Sequence, residues 1–161
     1  MRLVLQRVSS AAVRVGGEAV GAIGRGLLVL AAVEKGDGAA EVETAADKLA
    51  GLRCFEDAAG KMNLDAGAAG AEFLVVSQFT LAAGLDRGRR PSFDRAASPA
   101  EAEALLERLA ELLRRRGFRV AGGRFGARMQ VELVNDGPVT FVLEIAGRRA
   151  SAPARSPAAP A

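Results

Sequence analysis

An unbroken apolar run at residues 27–33, with the sequence LLVLAAV, constrains the fold of this chain more than any other feature. It lies between Gly26 and a polar turn at 34–38, and its length suits a strand better than a helix. A strand that is apolar on both sides must be covered on both faces, as in sheets that carry helices. A second run of this kind, at 73–76, leads directly into a polar segment. The two runs predict an α/β protein.

The remaining patterns predict further strands and two main helices. Strands are expected at 3–8 and 11–15, in a stretch ending at Ile23, and near 129–134 and 139–145, where the last two resemble a hairpin. Helices are expected over 39–55 and 99–116. The second has Ser98 as its N-cap, Pro99 at its first position, Glu101 completing a capping box and Gly117 as its stop signal.

The length and the end of the chain indicate one domain followed by a tail. A chain of 161 residues is long enough for one domain with a substantial core. After residue 146 the sequence is rich in Ala, Pro and Arg and has almost no large apolar side chain. We therefore predict a folded domain at 1–146 and a disordered tail at 147–161.

The composition excludes several kinds of chemistry. The chain has no histidine, so a serine or cysteine nucleophile could not be activated by a histidine base. Cys54 is the only cysteine, which rules out an internal disulfide, and one cysteine without histidine nearly excludes a tetrahedral zinc site of nitrogen and sulfur ligands. We therefore expect no metal and no cofactor, and a reducing cytoplasm as the compartment. No apolar run approaches the length of about 18 residues that would indicate a membrane helix.

The net charge of +3 comes from the predicted tail. Its three arginines follow the last acidic residue, so residues 1–147 contain 19 basic and 19 acidic residues. A balanced body is not typical of proteins that grip phosphates along a DNA duplex. Contact with RNA should be local, at an end or in a pocket.

Four segments could carry function, and each also has an ordinary structural interpretation. The segment Ser77-Gln78-Phe79-Thr80 follows a buried strand, where ligands bind in α/β sheets, although a strand can simply end in polar residues. Residues 135–138, Asn-Asp-Gly-Pro, could form a common turn or contain a cis Gly-Pro bond. The basic stretch 87–93 and the glycine-rich stretch 122–129 are solvated loops or a site for phosphate or adenosine.

Taken together, these segments resemble the D-aminoacyl-tRNA deacylases. The resemblance rests on Ser77-Gln78-Phe79-Thr80 and on Asn135-Asp136-Gly137-Pro138-Val139-Thr140. Shorter stretches match in the same order: 5–8, 26–30, 60–64, 89–93 and 123–129. It covers about residues 1–145 and leaves the tail out.

The resemblance implies an editing hydrolase that deacylates mischarged D-aminoacyl-tRNA and releases free D-amino acid. It implies a single three-layer α/β domain of mixed β-sheets with two main helices, which forms a homodimer and binds the 3′-terminal adenosine of the tRNA. The catalytic pocket would be formed by Ser77, Gln78, Phe79 and Thr80. A cis pair, Gly137 and Pro138, would enter this pocket from the partner subunit and would be held in place by Arg7. Phe125, Ala127 and Met129 would border the adenosine.

The implied chemistry agrees with the missing histidine, because a hydroxyl of the tRNA ribose can help to position or activate water. Selection would be steric: the Gly-Pro pair would reject L-aminoacyl-tRNA, and achiral glycyl-tRNA would be cleaved. Two alternatives remain open from the residues alone. One is a small-molecule esterase with Thr80 as its nucleophile, and the other is an RNA-binding module without catalysis.

Overall fold

The computed structural model of the protein describes residues 1–86 and 88–146. Its strands are β1 (Arg2–Val15), β2 (Glu18–Ile23), β3 (Gly26–Ala32), β4 (Phe55–Glu56), β5 (Met62–Leu64), β6 (Glu72–Ser77), β7 (Val120–Gly122) and β8 (Gln130–Glu144). Its helices are α1 (Ala39–Gly51) and α2 (Pro99–Arg115), with a short 3₁₀ helix at Phe79–Ala82. The predicted tail at 147–161 lies outside the described residues.

Six strands form one mixed sheet that curves until it is nearly closed. β8 and β3 lie antiparallel to β1 on its two edges, and β6 and β7 continue the sheet in parallel. β2 pairs with the second half of β1 and returns towards β7. There, a side-chain carbon on Gly21 would lie 2.2 Å from the carbonyl oxygen of Gly122. Only glycine allows the two backbones to approach so closely.

The curved sheet has one face against the helices and one face in its own interior. In β3, Leu27 and Val29 belong to the large core that includes both helices, whereas Leu28 lies in a second apolar cluster inside the sheet. β6 alternates in the same way, with Phe73 towards the helices and Leu74 inside. The prediction that both apolar runs are covered on two faces is confirmed.

Two predictions are wrong about how strands are connected, because each predicted pair of strands forms one continuous strand. Residues 3–8 and 11–15 form the single strand β1, because a register shift near Ser9 absorbs the break between them. The segments near 129–134 and 139–145 likewise belong to one strand, β8. Both pair with β1 and not with each other, so the expected hairpin does not form.

The helix predictions are close to the structure. α1 ends at Gly51, earlier than expected, because the chain becomes extended at Leu52 and enters β4. α2 covers the predicted segment to within one residue. Its capping box is confirmed: the Glu101 backbone N–H donates to Ser98 Oγ at 3.4 Å, and the Ser98 N–H donates to Glu101 Oε2 at 3.1 Å.

The predicted class, one mixed α/β domain with two main helices, is confirmed. The main strands form one nearly closed sheet with the separate β4–β5 ribbon beside it. The homodimer stays a prediction. Within the described ranges, no helix is both long and apolar enough to cross a membrane.

Candidate active site

A cavity of about 860 Å³ opens beside the carboxyl ends of β6 and β7. Ligands of α/β proteins bind at this edge of the sheet, and small-molecule sites measure about 300–1,000 Å³. Ser77 lines the cavity from the end of β6, and Phe125 and Met129 line it from the loop after β7. Side chains of α2, including Glu103 and Arg114, form much of the remaining wall.

The segment from Ser77 to Thr80 turns sharply out of β6. The backbone N–H of Gln78 donates to the carbonyl oxygen of Ala31 at 2.8 Å, which fixes the turn to β3. The side-chain amide of Gln78 donates to the hydroxyl oxygen of Thr80. Phe79 is 56% exposed despite its large apolar ring. The turn thus presents a hydroxyl, an amide and an aromatic ring at the surface.

The loop after β7 presents Phe125 through a tight turn. The N–H of Ala127 donates to the carbonyl oxygen of Arg124 at 3.2 Å, and Gly126 has a φ of 71°. Phe125 is half-buried against the main core, and Met129 packs against the cluster inside the sheet. Both side chains therefore reach the cavity from a well-supported loop.

A bulge in β8 lies opposite Arg7. The register pairs Gln6 with Thr140 and Val8 with Asn135, so Arg7 alone faces residues 136–139. The side-chain oxygen of Asn135 closes the bulge by accepting from the Val139 N–H at 2.9 Å. The Gly137–Pro138 peptide bond within the bulge is cis, and both residues are exposed.

Arg7 holds this bulge from below. It is 2% exposed and is the one buried polar or charged residue between residues 1 and 146, Arg87 aside. Its Nε donates to the carbonyl oxygen of Asp136 at 3.1 Å, and its Nη1 donates to the carbonyl oxygen of Cys54 at 2.8 Å. Its Nη2 lies 3.3 Å from a carboxylate oxygen of Glu56. The planar guanidinium can bond these three partners, in the bulge and in the segment 54–56, at once.

Gly137 is required by the geometry of the bulge. Its φ of 126° lies in the region that L side chains rarely adopt. A side-chain carbon there would lie 2.7 Å from Cγ2 of Val139 and 3.0 Å from Nη2 of Arg7. The bulge therefore exposes main chain where any other residue would place a side chain.

The one cysteine is not a candidate nucleophile. Burial raises the pKa of the Cys54 thiol, and the positive charge of Arg7 only partly opposes this effect. The side chain is fully buried in the main core. A neutral, inaccessible thiol is unreactive, so Cys54 serves as a small core residue.

The predicted site residues fall into two groups in the single chain. Around the cavity the structure places Ser77, Phe125 and Met129 in the wall, Gln78, Phe79 and Thr80 in the adjoining turn, and Ala127 in the adjoining loop. The β1–β8 bulge contains Gly137 and Pro138 with Arg7 beneath them, and these three do not line the cavity.

Sequence reasoning missed the polar face of α2. Glu103, Glu107 and Arg114 line the cavity, but the periodicity of an amphipathic helix shows only which face is polar. It does not show what that face adjoins. These residues can therefore be identified only from the packing of α2 against the sheet, and not from the sequence pattern.

The chain is similar to known proteins over nearly its whole length. Residues 4–144 match the family described as D-Tyr-tRNA(Tyr) deacylase. A D-aminoacyl-tRNA deacylase of Geobacter sulfurreducens is 54% identical over 151 residues, which cover 94% of this chain and 99% of the relative. One from Anaeromyxobacter dehalogenans is 58% identical over 144 residues, covering 89% and 97% of the two chains.

Solved structures share the fold. One, described as c-Myc DNA Unwinding Element Binding Protein, has a TM-score of 0.85 and is 41% identical, covering 91% of this chain and 100% of that one. Another, described as a probable eukaryotic D-amino acid tRNA deacylase, has a TM-score of 0.78 at 21% identity, covering 89% and 98%. This second likeness shows the fold alone.

The fold and the cavity define a small α/β protein with a ligand-sized cavity at the carboxyl edge of a curved sheet. The chain belongs to the D-Tyr-tRNA(Tyr) deacylase family. Its activity is that of an ester hydrolase that removes D-amino acids from tRNA, and the resemblance drawn from the sequence is confirmed.

Proposed function

We propose that the enzyme acts as a cytoplasmic homodimer in which the tRNA supplies part of the chemistry and the protein orients and selects the substrate. The observation that carries this proposal is the buried Arg7 guanidinium, which bonds the carbonyl oxygen of Asp136 directly before the exposed Gly137–Pro138 pair. A buried charge bonded to three partners in two segments makes a rigid support. The main chain of Gly137 and Pro138, fixed on that support, can exclude substrate side chains by steric overlap.

The chemistry is the hydrolysis of an ester. Water attacks the ester carbonyl, the bond between the carbonyl carbon and the ribose oxygen breaks, and the free D-amino acid and the tRNA hydroxyl are released. Backbone N–H groups in the turn from Ser77 to Thr80 stabilise the oxyanion. The neighbouring ribose hydroxyl of the substrate positions or activates the water.

Thr80 has an orienting role in this proposal. Its hydroxyl is hydrogen-bonded to the neutral amide of Gln78, and the chain has no histidine that could act as its base. A threonine hydroxyl without a base is a poor nucleophile. The terminal adenosine lies in the cavity bordered by Phe125, Ala127 and Met129, so that the ester reaches the Thr80 turn.

Selection against L-amino acids follows from the position of the main chain. The carbonyl groups of Gly137 and Pro138 hold the α-amino group of the substrate. An L side chain then points into the main chain, whereas a D side chain points towards solvent. Rejection by steric overlap admits many D side chains and also admits glycine.

The proposed dimer follows from the exposed surface of β8. This strand pairs with β1 alone in the described part of the chain, so its outer edge is open. Val134 and Val142 are 57% and 72% exposed on it. An open edge with exposed apolar side chains favours association. A second subunit there would receive the Gly137–Pro138 bulge beside its own Ser77 turn.

The proposal is tested by comparing matched esters of one tRNA. We expect rapid hydrolysis of D-tyrosyl-tRNA and of glycyl-tRNA, and little hydrolysis of L-tyrosyl-tRNA. Resistance of glycyl-tRNA would contradict steric selection. A D-tyrosyl-tRNA whose terminal adenosine lacks the neighbouring ribose hydroxyl should react far more slowly, and an unchanged rate would favour Thr80 as the nucleophile.

A further inference from the structure

The cavity beside Ser77 extends along α2. Glu103 and Arg114 both line it and are separated by about 16 Å along the helix, at roughly 1.5 Å per residue. α2 turns back into β7 within a few residues, so the two elements run in opposite directions. Glu103 therefore lies towards the carboxyl edge of the sheet, and Arg114 lies away from it. The groove is longer than one nucleoside requires.

Several charges on the wall already have partners. Arg108 pairs with Glu43 at 2.9 Å. Glu111 pairs with Arg115, which lies outside the cavity wall, at 2.7 Å. These four side chains are therefore largely neutralised.

Two guanidinium groups of the wall remain available. Arg114 donates to the carbonyl oxygen of Val120 at 3.3 Å, and neither it nor Arg124 forms an ion pair with any described residue. Arg124 immediately precedes Phe125, close to the proposed adenosine, whereas Arg114 lies near the far end of the groove. The remaining carboxylates are Glu103 and Glu107, which repel phosphate and confine it to the arginines.

We propose that this groove binds the two cytidine nucleotides that precede the terminal adenosine of tRNA, an inference that rests on the proposed function. Arg124 contacts the phosphate next to the adenosine, and Arg114 contacts the phosphate one nucleotide further on. The carboxylate of Glu107 can accept from the amino group of a cytosine. Because all tRNAs end in this sequence, such a groove adds affinity without restricting the enzyme to one tRNA.

The test uses D-tyrosyl esters of increasing length: of adenosine, of CpA and of CpCpA. We expect kcat/KM to rise roughly tenfold at each added nucleotide, as one charge-assisted contact would give. Arg124→Ala should abolish the first rise, and Arg114→Ala should abolish the second. Arg116→Ala, a control directly after α2 whose ion-pair partner Asp47 lies outside the cavity wall, should preserve both.

A measurement on the unaltered enzyme provides an independent check. The logarithm of kcat/KM should fall with the logarithm of salt concentration more steeply for the CpCpA ester than for the adenosine ester, by a slope of about 1.4 for two phosphates. Equal values of kcat/KM and equal salt slopes for all three esters would overturn the proposal that the groove binds the two cytidine nucleotides. If the enzyme also failed to prefer D- over L-tyrosyl-tRNA, the proposed function would fail separately.

Discussion

The Nε of Arg7 donates a hydrogen bond to the carbonyl oxygen of Asp136 at 3.1 Å, across a bulge in which one residue of β1 faces four residues of β8. The same guanidinium bonds the carbonyl oxygen of Cys54. The exposed Gly137–Pro138 segment is thus connected directly to the protein core. Changes to Arg7 should therefore affect both stability and substrate selection.

Arg7→Lys keeps the positive charge but removes the guanidinium, so it tests whether stability and selection depend on the guanidinium bonds or on the charge alone. An ammonium group cannot form the fork of bonds that a guanidinium forms, so we expect a loss of about 1–3 kcal/mol in the free energy of unfolding. The ratio of L- to D-tyrosyl-tRNA hydrolysis should rise. Arg14→Lys, at an exposed ion pair on the same strand, is the control. A destabilised Arg7 variant with an unchanged ratio would refute the role in selection.

Thr80→Val tests the role of the hydroxyl with little change of shape. If Thr80 only orients the turn, kcat on D-tyrosyl-tRNA should fall by no more than about tenfold, the scale of one lost hydrogen bond. Single-turnover rates measure this directly. A loss of several orders of magnitude, with tRNA binding and thermal stability intact, would instead identify Thr80 as the nucleophile.

Val142→Glu tests the proposed dimer. Because Val142 is 72% exposed in the single chain, a charge there should change the intrinsic stability of a subunit by no more than about 0.5 kcal/mol. It should weaken dimerisation and, with it, both activity and selectivity. Sedimentation equilibrium gives the dissociation constant. Thr44→Glu, an exposed change on α1, should leave the constant as it is.

Asp37→Asn tests a buried ion pair far from the bulge. The α-ammonium group of Met1 donates to Asp37 Oδ1 at 2.8 Å, and the two side chains are 0% and 5% exposed. Removing one charge of a buried pair should cost about 3–5 kcal/mol. Glu111→Gln, at an exposed pair, should cost roughly 0.5 kcal/mol. Urea unfolding compares the two, and similar losses would show that burial does not matter here.

Cys54 predicts a dependence on alkaline pH. Burial raises the pKa of its thiol in the folded state, so the unfolded chain ionises first as the pH rises. The stability from the neutral thiol is complete below the unfolded pKa and is lost as the pH rises through the folded pKa. Cys54→Ala should therefore be destabilised more at pH 7 than at pH 10 relative to the parent. An equal difference at both pH values would contradict the shift.

The sequence predicts the elements of this fold better than their connections. Residues 27–33 and 73–76 are recognisable because burial on both faces leaves an unbroken apolar run. The hairpin expected around residues 135–138 is wrong because turn residues indicate that the chain bends, without showing whether it reverses. β1 is long enough to pair with both halves of β8, and this pairing turns the expected reversal into a bulge.

The candidate site divides in the same way. Ser77 and Phe125 stand out through local motifs, and the structure places both at one cavity. Glu107 and Arg114 have no local motif, because their position depends on how α2 packs across the sheet. In the proposed dimer, the spacing between Gly137 and Ser77 depends on a second subunit, which no periodicity within one chain describes.

The pairing of β1 with β8 also has a consequence for biosynthesis. β1 is synthesised well before β8, yet β8 covers one whole edge of β1. Until β8 has been synthesised, that edge is open to other nascent chains. Pairing over so long a separation is intrinsically slow. The segment proposed to distinguish mirror-image substrates is therefore among the last to take its place, so the newborn enzyme cannot edit before its fold is finished.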